Sequence, residues 1–344
     1  MTTTISATWH KAVEAEEILQ RSSQVLSVVD GQAYVFGGEL RPREPRDNDV
    51  HVLSLNLSKA NLRQGSKTTI STKPATSASP SPRVGSASTA LNGKIYLFSG
   101  RGGVAMTPIE EHGSIWEFDP STATWTLIEP ADAKYPPARS YHCMANDGHK
   151  TVYVHAGCPE KGRLSDLWAF DLTTRVWTEL APAPDPPRGG PSIAFAEGKL
   201  YRMNGFDGKT EQGGSLDVYS PETNTWTSLQ YPPDGQAGPT PRSVSALLPV
   251  RITNAGNSKT GLVTLFGERD PSALGHQGAG KMLSDVWLFD LASQTWHEVD
   301  IQGESRPVAR GWFAADTVGN SQILVQGGLG ESNERIGDAW LLAF

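Results

Sequence analysis

RSYHCMANDGHKTVYVHAGCPEKGRLSDLWAFDLTTRVWTEL, residues 139–180, decides the fold. An alternating run from Ser140 to Asn146 leads through a glycine turn into Val152 to His155, which ends at Ala156-Gly157. A polar loop follows, then Asp166 to Asp171, a short turn, and Val176 to Leu180. Apolar and polar residues alternating over four to eight positions, bounded by Gly, Pro, Asn or Asp, place side chains on two faces of a strand. Four such strands joined by short turns predict one antiparallel meander.

The rest of the chain repeats this unit. Six segments end a second strand at glycine: Phe36-Gly37-Gly38, Phe98-Ser99-Gly100, His155-Ala156-Gly157, Met203-Asn204-Gly205, Leu265-Phe266-Gly267 and Gln326-Gly327-Gly328. Third strands follow as DVHVLSL, SIWEFD, DLWAFD, SLDVYS, DVWLFD and DAWLLAF. Trp125, Trp177, Trp226 and Trp296 mark fourth strands, with Leu62 expected in that place in the first repeat. The sixth repeat stops at Phe344 after its third strand, and Thr8 to Val13 near the start matches the missing fourth. A repeat near fifty residues with this Gly and Trp order reads as a kelch-type blade. The expectation is all-β: a single domain over residues 1–344, a six-bladed kelch-type β-propeller closed by the N-terminal strand completing the last blade, which removes a free edge.

Composition agrees. The 35 glycines and 24 prolines of this 344-residue chain supply turns, and ten tryptophans supply core. No apolar run is long enough to span a membrane, and the first residues lack a secretory signal pattern, so a cytoplasmic protein without membrane attachment is expected. Two cysteines, Cys143 and Cys158, fit a reduced compartment, where a disulfide between them is unneeded. A net charge of −7 argues against nucleic-acid binding. Apolar blade surfaces would permit a homodimer.

Function is sought where repeats depart from the template. Residues 64–82 are Ser/Thr/Pro-rich and predict a mobile loop. Residues 251–261 predict a long turn, and residues 268–283 an enlarged loop between the second and third strands of the fifth repeat. In a meander, loops between strands two and three share a face with the segments opening each blade. That face gathers Glu39, Arg101, Lys161, Arg163, Lys209 and the loop from Glu268 to His276, plus Arg21, Arg83, Arg139, Arg188, Arg242 and Arg310. An arginine recurring in every blade reads first as structural, pairing with acidic residues of a neighbouring blade. Arg101 and Arg163 do not recur. Their forked guanidinium groups suit an anionic ligand, each charge-assisted bond contributing ~1.5–3 kcal/mol.

Glu268, Asp270 and His276 put two carboxylates and an imidazole within nine residues, on a loop folded back by Pro271, Gly275, Gly278 and Gly280. Such donors suit a divalent first-row metal. They equally suit metal-free acid/base work by Glu268 or Asp270 with His276, as in a cyclase, isomerase or lyase. A scaffold binding a protein partner across one face is the third reading.

The whole chain resembles the plant specifier proteins, the nitrile-specifier, epithiospecifier and thiocyanate-forming proteins. The resemblance rests on TWHKAV at residue 8, YVFGGELRPREPRDNDVHVL at 34, GRLSDLWAFD at 162 and GERDPSALGHQGAGKMLSDVWLFD at 267. It implies a lyase-type enzyme dependent on iron(II), acting on thiohydroximate-O-sulfates to give nitriles or related products. It implies iron ligands in a Glu-x3-Asp-x3-His pattern. Glu268 and His276 fall on the ends of that pattern, and Ser272 stands in the middle where Asp is usual. Asp270, or Ser272 with water, would then complete the site. By the same resemblance Arg101 and Arg163 hold the sulfate of a small anionic substrate, and Trp312 forms an aromatic wall.

Overall fold

The computed structural model describes residues 4–55, 68–254 and 257–344, with side chains throughout except at Asn254, Asn257 and His276. Six antiparallel sheets of four or five strands account for most of it. The third sheet has the order read from the sequence: Cys143–Asn146, Thr151–Gly157, Leu164–Asp171 and Val176–Leu180. In the sixth, Ser6–Val13 pairs antiparallel with Ala339–Ala343, so one strand of this sheet comes from the N-terminus. Asp300–Gln302 adds a parallel fifth strand against Ser6 to Thr8. The helices described are two single 3-10 turns, Glu17–Leu19 and Gly275–Gln277, and no described helix is long and apolar enough to cross a membrane.

Hydrophobic cores lie between the faces of neighbouring sheets. The fourth-strand tryptophans account for the signature. Trp177 sits 4.9 Å from Phe170 of its own sheet and 5.5 Å from Phe98 of the sheet before. Trp125 does the same with Phe118 at 5.0 Å and Phe36 at 5.1 Å. Each ring thereby joins two sheets, and aromatic pairs at these separations add about 0.5–1.5 kcal/mol beyond burial.

The recurring arginines are structural, but five of them, Arg21, Arg83, Arg139, Arg242 and Arg310, pair within their own sheets and not with a neighbour. Arg139 is fully buried; it donates to the Ala156 carbonyl at 3.0 Å and to both oxygens of Asp166 at 2.7 Å. Trp168 Nε1 also donates to Asp166, at 2.8 Å. Arg242 with Asp285 and Trp287, and Arg310 with Asp338 and Trp340, repeat this set. Arg21 uses Asp47 and Arg83 uses Glu111. The acceptor carbonyl precedes the second-strand glycine, which holds positive φ and packs tightly. A Cβ on Gly157 would stand 2.7 Å from His142 Cβ, which is why this place needs glycine.

Two residues after each arginine, the chain turns through positive φ at Ser23, Gly85, Tyr141, Gly190, Val244 and Trp312. Their backbones hydrogen-bond in sequence: Gly85 to Ser23, Tyr141 to Gly85, Gly190 to Tyr141, Val244 to Gly190, Trp312 to Val244 and Ser23 to Trp312, at 2.7–3.1 Å. The series returns to its start. A channel of about 420 Å³ lined by the first strands of the six sheets is one of two large cavities; the other is a mouth that includes four of these belt residues.

Two expected loops are partly strand. Thr69–Lys73 lies inside residues 64–82 and pairs with Val50–Ser54 as the fourth strand of the first sheet, the place assigned to Leu62, which is outside the described residues. Residues 74–82 are tied down by Ala75 N donating to Asp49 and by Asn48 Nδ2 donating to Pro80 O. The expected turn at 251–261 is a continuation of Ala246–Asn254 and Asn257–Leu265, which stay paired to Asn254 opposite Asn257. Alternating Thr and Ser with no apolar periodicity hid both strands, because each sends only one partly buried side chain, Ile70 or Ile252, against a core.

Candidate active site

The mouth encloses about 340 Å³. Its lining combines four of the belt residues, Tyr141, Gly190, Val244 and Trp312, with walls from the loops between second and third strands. Positive φ at Tyr141 and Trp312 accompanies an edge-to-face contact between their rings at 5.2 Å. Small residues keep the belt open between them: a Cβ on Gly85 would meet the Tyr141 ring at 2.8 Å, and one on Gly190 would meet Val244 at 2.9 Å.

Arg101 and Arg163 both line this cavity. Arg101 is held by neutral acceptors: Ser140 Oγ at 3.2 Å, the Met106 carbonyl at 3.1 Å and the Pro159 carbonyl at 3.3 Å. Arg163 lies over the Phe206 ring, 5.0 Å from its centre, and its buried Nε has no hydrogen-bond partner. Among the described residues neither guanidinium forms an ion pair, so both carry positive charge into the cavity. Gly208 permits this, since a Cβ there would stand 2.6 Å from Arg163 Nη1.

On the opposite wall Glu268 is buried, and Trp312 Nε1 donates to its Oε2 at 3.1 Å while Gly280 N donates to Oε1 at 2.6 Å. Burial nonetheless raises its pKa above the usual carboxylate value, because two donors do not replace the lost water. Ser272 lines the cavity and its Oγ accepts from Leu274 N at 3.2 Å. Asp270 does not line it: exposed, with φ of +51°, it pairs with Arg269 at 3.1 Å. The side chain of His276 is outside the described residues. Among those described, no three His, Cys, Asp or Glu side chains cluster as metal ligands do.

Other expected residues are placed differently. Glu39 lines the mouth, but Arg335 Nη2 donates to its Oε1 at 2.8 Å and Arg43 N to its Oε2 at 2.7 Å, so it is a buried ion-pair partner. Lys209 and Lys161 are exposed and do not line the cavity. Cys158 reaches the cavity as a free thiol, and Cys143 is also free, bonding the His155 carbonyl.

The sequence reading missed Glu211. It lines the mouth from the fourth sheet's loop, and its buried Oε1 has no hydrogen-bond partner. Its pKa is raised by burial and further by the nearby charge of Glu268. A carboxylate in the loop homologous to those of Arg101 and Arg163 was the available signal.

The sheets and the mouth define a kelch-repeat β-propeller. The chain belongs to the KLHDC2/KLHL20/DRC7 Kelch-repeats domain family, whose model matches residues 23–252. It is 28% identical to the N-(sulfonatooxy)prop-2-enimidothioate sulfolyase of Thlaspi arvense over all of this chain and 99% of that one. It is 29% identical to Adagio-like protein 3 of Oryza sativa subsp. japonica, over 99% of this chain and 51% of that longer protein. The solved structure of YjhT superposes with a TM-score of 0.68 at 15% identity, covering 96% of each chain.

Proposed function

We propose that the chain is a six-bladed propeller, closed by Ser6–Val13, whose mouth is the active site of a specifier-like lyase acting on a small organic sulfate. The returning belt of hydrogen bonds supports the blade count. The observation that carries the activity is the pair Arg101 and Arg163, two cations with no carboxylate partner among the described residues, on one wall of the cavity that Glu268 and Trp312 close on the other. Similarity along the full length to a sulfolyase is consistent with it.

In this reading the substrate's sulfate lies against Arg101 and Arg163. Arg163 is unencumbered, and stacking on Phe206 fixes the plane of its fork. Arg101 is pre-set by its three neutral acceptors, so little reorganisation is needed. As the N–O bond of a thiohydroximate-O-sulfate breaks, its electron pair leaves with the sulfate, the C–S electron pair becomes the third C–N bond of the nitrile, and the sulfur departs zero-valent. Both guanidinium groups bind that growing charge more strongly than they bind the intact ester. Tyr141, Phe206 and Trp312 exclude water from the organic part.

An iron(II) ion would be held by Glu268 and His276, with Ser272 beside them; bound there, it would supply a Lewis-acidic position for the substrate's sulfur. Asp270 is turned away, and the unpartnered Oε1 of Glu211 is the second carboxylate that fits a cation at this wall. The metal-independent acid/base alternative draws on the same pair, Glu211 and Glu268. The cytoplasmic setting remains part of the proposal. Incubation with a freshly generated sulfonatooxy imidothioate and iron(II), followed by product analysis, tests it: nitrile or related products are expected in place of isothiocyanate alone.

A further inference from the structure

Five of the six recurring arginines bind a carboxylate of their own sheet; Arg188 does not. In the other five, Nη2 donates to Asp47, Glu111, Asp166, Asp285 or Asp338 at 2.7–3.3 Å. Arg188 donates from Nε to the Pro186 carbonyl and from Nη1 to the Asn204 carbonyl, and its Nη2 has no partner among the described residues. It is nevertheless only 4% exposed.

The pairing register shows where the carboxylate went. Tyr219 opposite Trp226 matches Phe170 opposite Trp177, which puts Ser215 at the place of Asp166 and Asp217 at the place of Trp168. Opposite Asp217 stands Arg202, where the third sheet has Val154 opposite Trp168. The fourth sheet has thus moved its acid two residues along the strand and given it to a second buried arginine. Asp217 lies 3.5 Å from Arg202 and accepts from Ser228 Oγ at 2.6 Å. Arg202 is fully buried; its Nη1 donates to the Pro184 carbonyl at 2.9 Å, and its Nε and Nη2 have no partner among the described residues. Two buried cations therefore share one buried carboxylate. Asp207, the other acid facing Arg188, is occupied by Lys209 N, Thr210 N and Gln212 Nε2. Burial, and then the charge of Arg202, draw the pKa of Arg188 down to about 9.

We propose that Arg188, with Arg202 as its neighbour, binds a small carboxylate from solution in the position that Asp166, Asp285 and Asp338 fill in their own sheets. The shape of the ligand is argued from the five filled sockets, where a planar carboxylate takes two N–H donors side by side. The burial of Arg188 limits the ligand to a small group such as formate. The socket is separate from the mouth. It adjoins it through Gly189 and Gly190, which follow Arg188 and line the cavity.

The test is the melting temperature at pH 7 in sodium formate against sodium methanesulfonate at equal ionic strength. For the wild-type chain, formate at roughly ten times its Kd is expected to raise the midpoint by about 2–4 °C. Ser215→Asp supplies an internal carboxylate, and is expected to raise the midpoint without formate and to abolish the response. Arg163→Gln, which alters the mouth alone, is expected to keep it. No formate response in the wild type, an undiminished response in Ser215→Asp, or a response lost only in Arg163→Gln would each overturn the assignment. Arg188→Met serves as the second removal if Ser215→Asp does not fold.

Discussion

Trp312 Nε1 donates to Glu268 Oε2 at 3.1 Å, tying the belt residue of the sixth sheet to the enlarged loop of the fifth. The Trp312 backbone is held on both sides of the belt, so its indole offers the carboxylate a fixed donor beside Gly280 N of the loop. Trp312→Phe keeps the aromatic surface and removes the donor. Losing one bond to a carboxylate costs about 1.5–3 kcal/mol. Turnover is expected to fall about 10–100-fold with the circular dichroism spectrum unchanged. Full turnover in Trp312→Phe would show that the bond does not position Glu268.

Asp166 accepts from three donors, Arg139 Nη1, Arg139 Nη2 and Trp168 Nε1. Asp166→Ala leaves the fully buried Arg139 charge without its carboxylate, and such a loss costs about 3–5 kcal/mol. Urea denaturation should show a decrease of that size. Asp270→Asn breaks an exposed pair and should shift stability by no more than about 0.5 kcal/mol. Equal effects would contradict the division between socket and surface pairs.

Asp316 on the channel wall accepts from Val28 N and Thr317 N, yet burial pushes its pKa up to about 6. A carboxyl with a raised folded-state pKa binds more protons folded than unfolded. Its contribution to stability is therefore greatest below its unfolded value near 4 and falls as pH rises towards 6. The stability of Asp316→Asn relative to wild type should accordingly increase between pH 4.5 and pH 6.5 and then level off. Urea midpoints across that range check it, and a variant that loses stability relative to wild type as pH rises would be the wrong sign.

The metal reading makes its own prediction. Glu268→Ala and His276→Ala should each lose iron(II) binding in anaerobic calorimetry, while Glu211→Gln weakens it about 10-fold or more. Ser272→Asp should strengthen it, because an anionic oxygen replaces a hydroxyl. Unchanged titrations for Glu268→Ala and His276→Ala would remove iron from this wall and leave the acid/base alternative.

The sheets were legible because their signal is periodic: glycine, aromatic and tryptophan recur where packing between sheets demands them. Arg101 and Arg163 were legible as departures from that repeat, and both line one cavity. Thr69–Lys73 was not, since an edge strand whose half-buried face carries one apolar residue, Ile70, leaves no hydrophobic pattern. Glu39 and Arg335 lie 296 residues apart, and only the folding of the two ends of the chain next to each other brings them together. Glu211 escaped notice for a related reason: its role depends on facing Glu268 across the gap between two sheets, and spacing along the chain does not encode that.

The central claim is that Arg101 and Arg163 receive a sulfate during the reaction. The most direct measurement is product distribution from a freshly generated sulfonatooxy imidothioate with iron(II), comparing wild type, Arg163→Gln and Lys209→Gln. Wild type and Lys209→Gln should give the same nitrile-type products, with kcat/KM at least about 10-fold lower in Arg163→Gln. Isothiocyanate alone from the wild-type protein, or Arg163→Gln indistinguishable from it, would contradict the account.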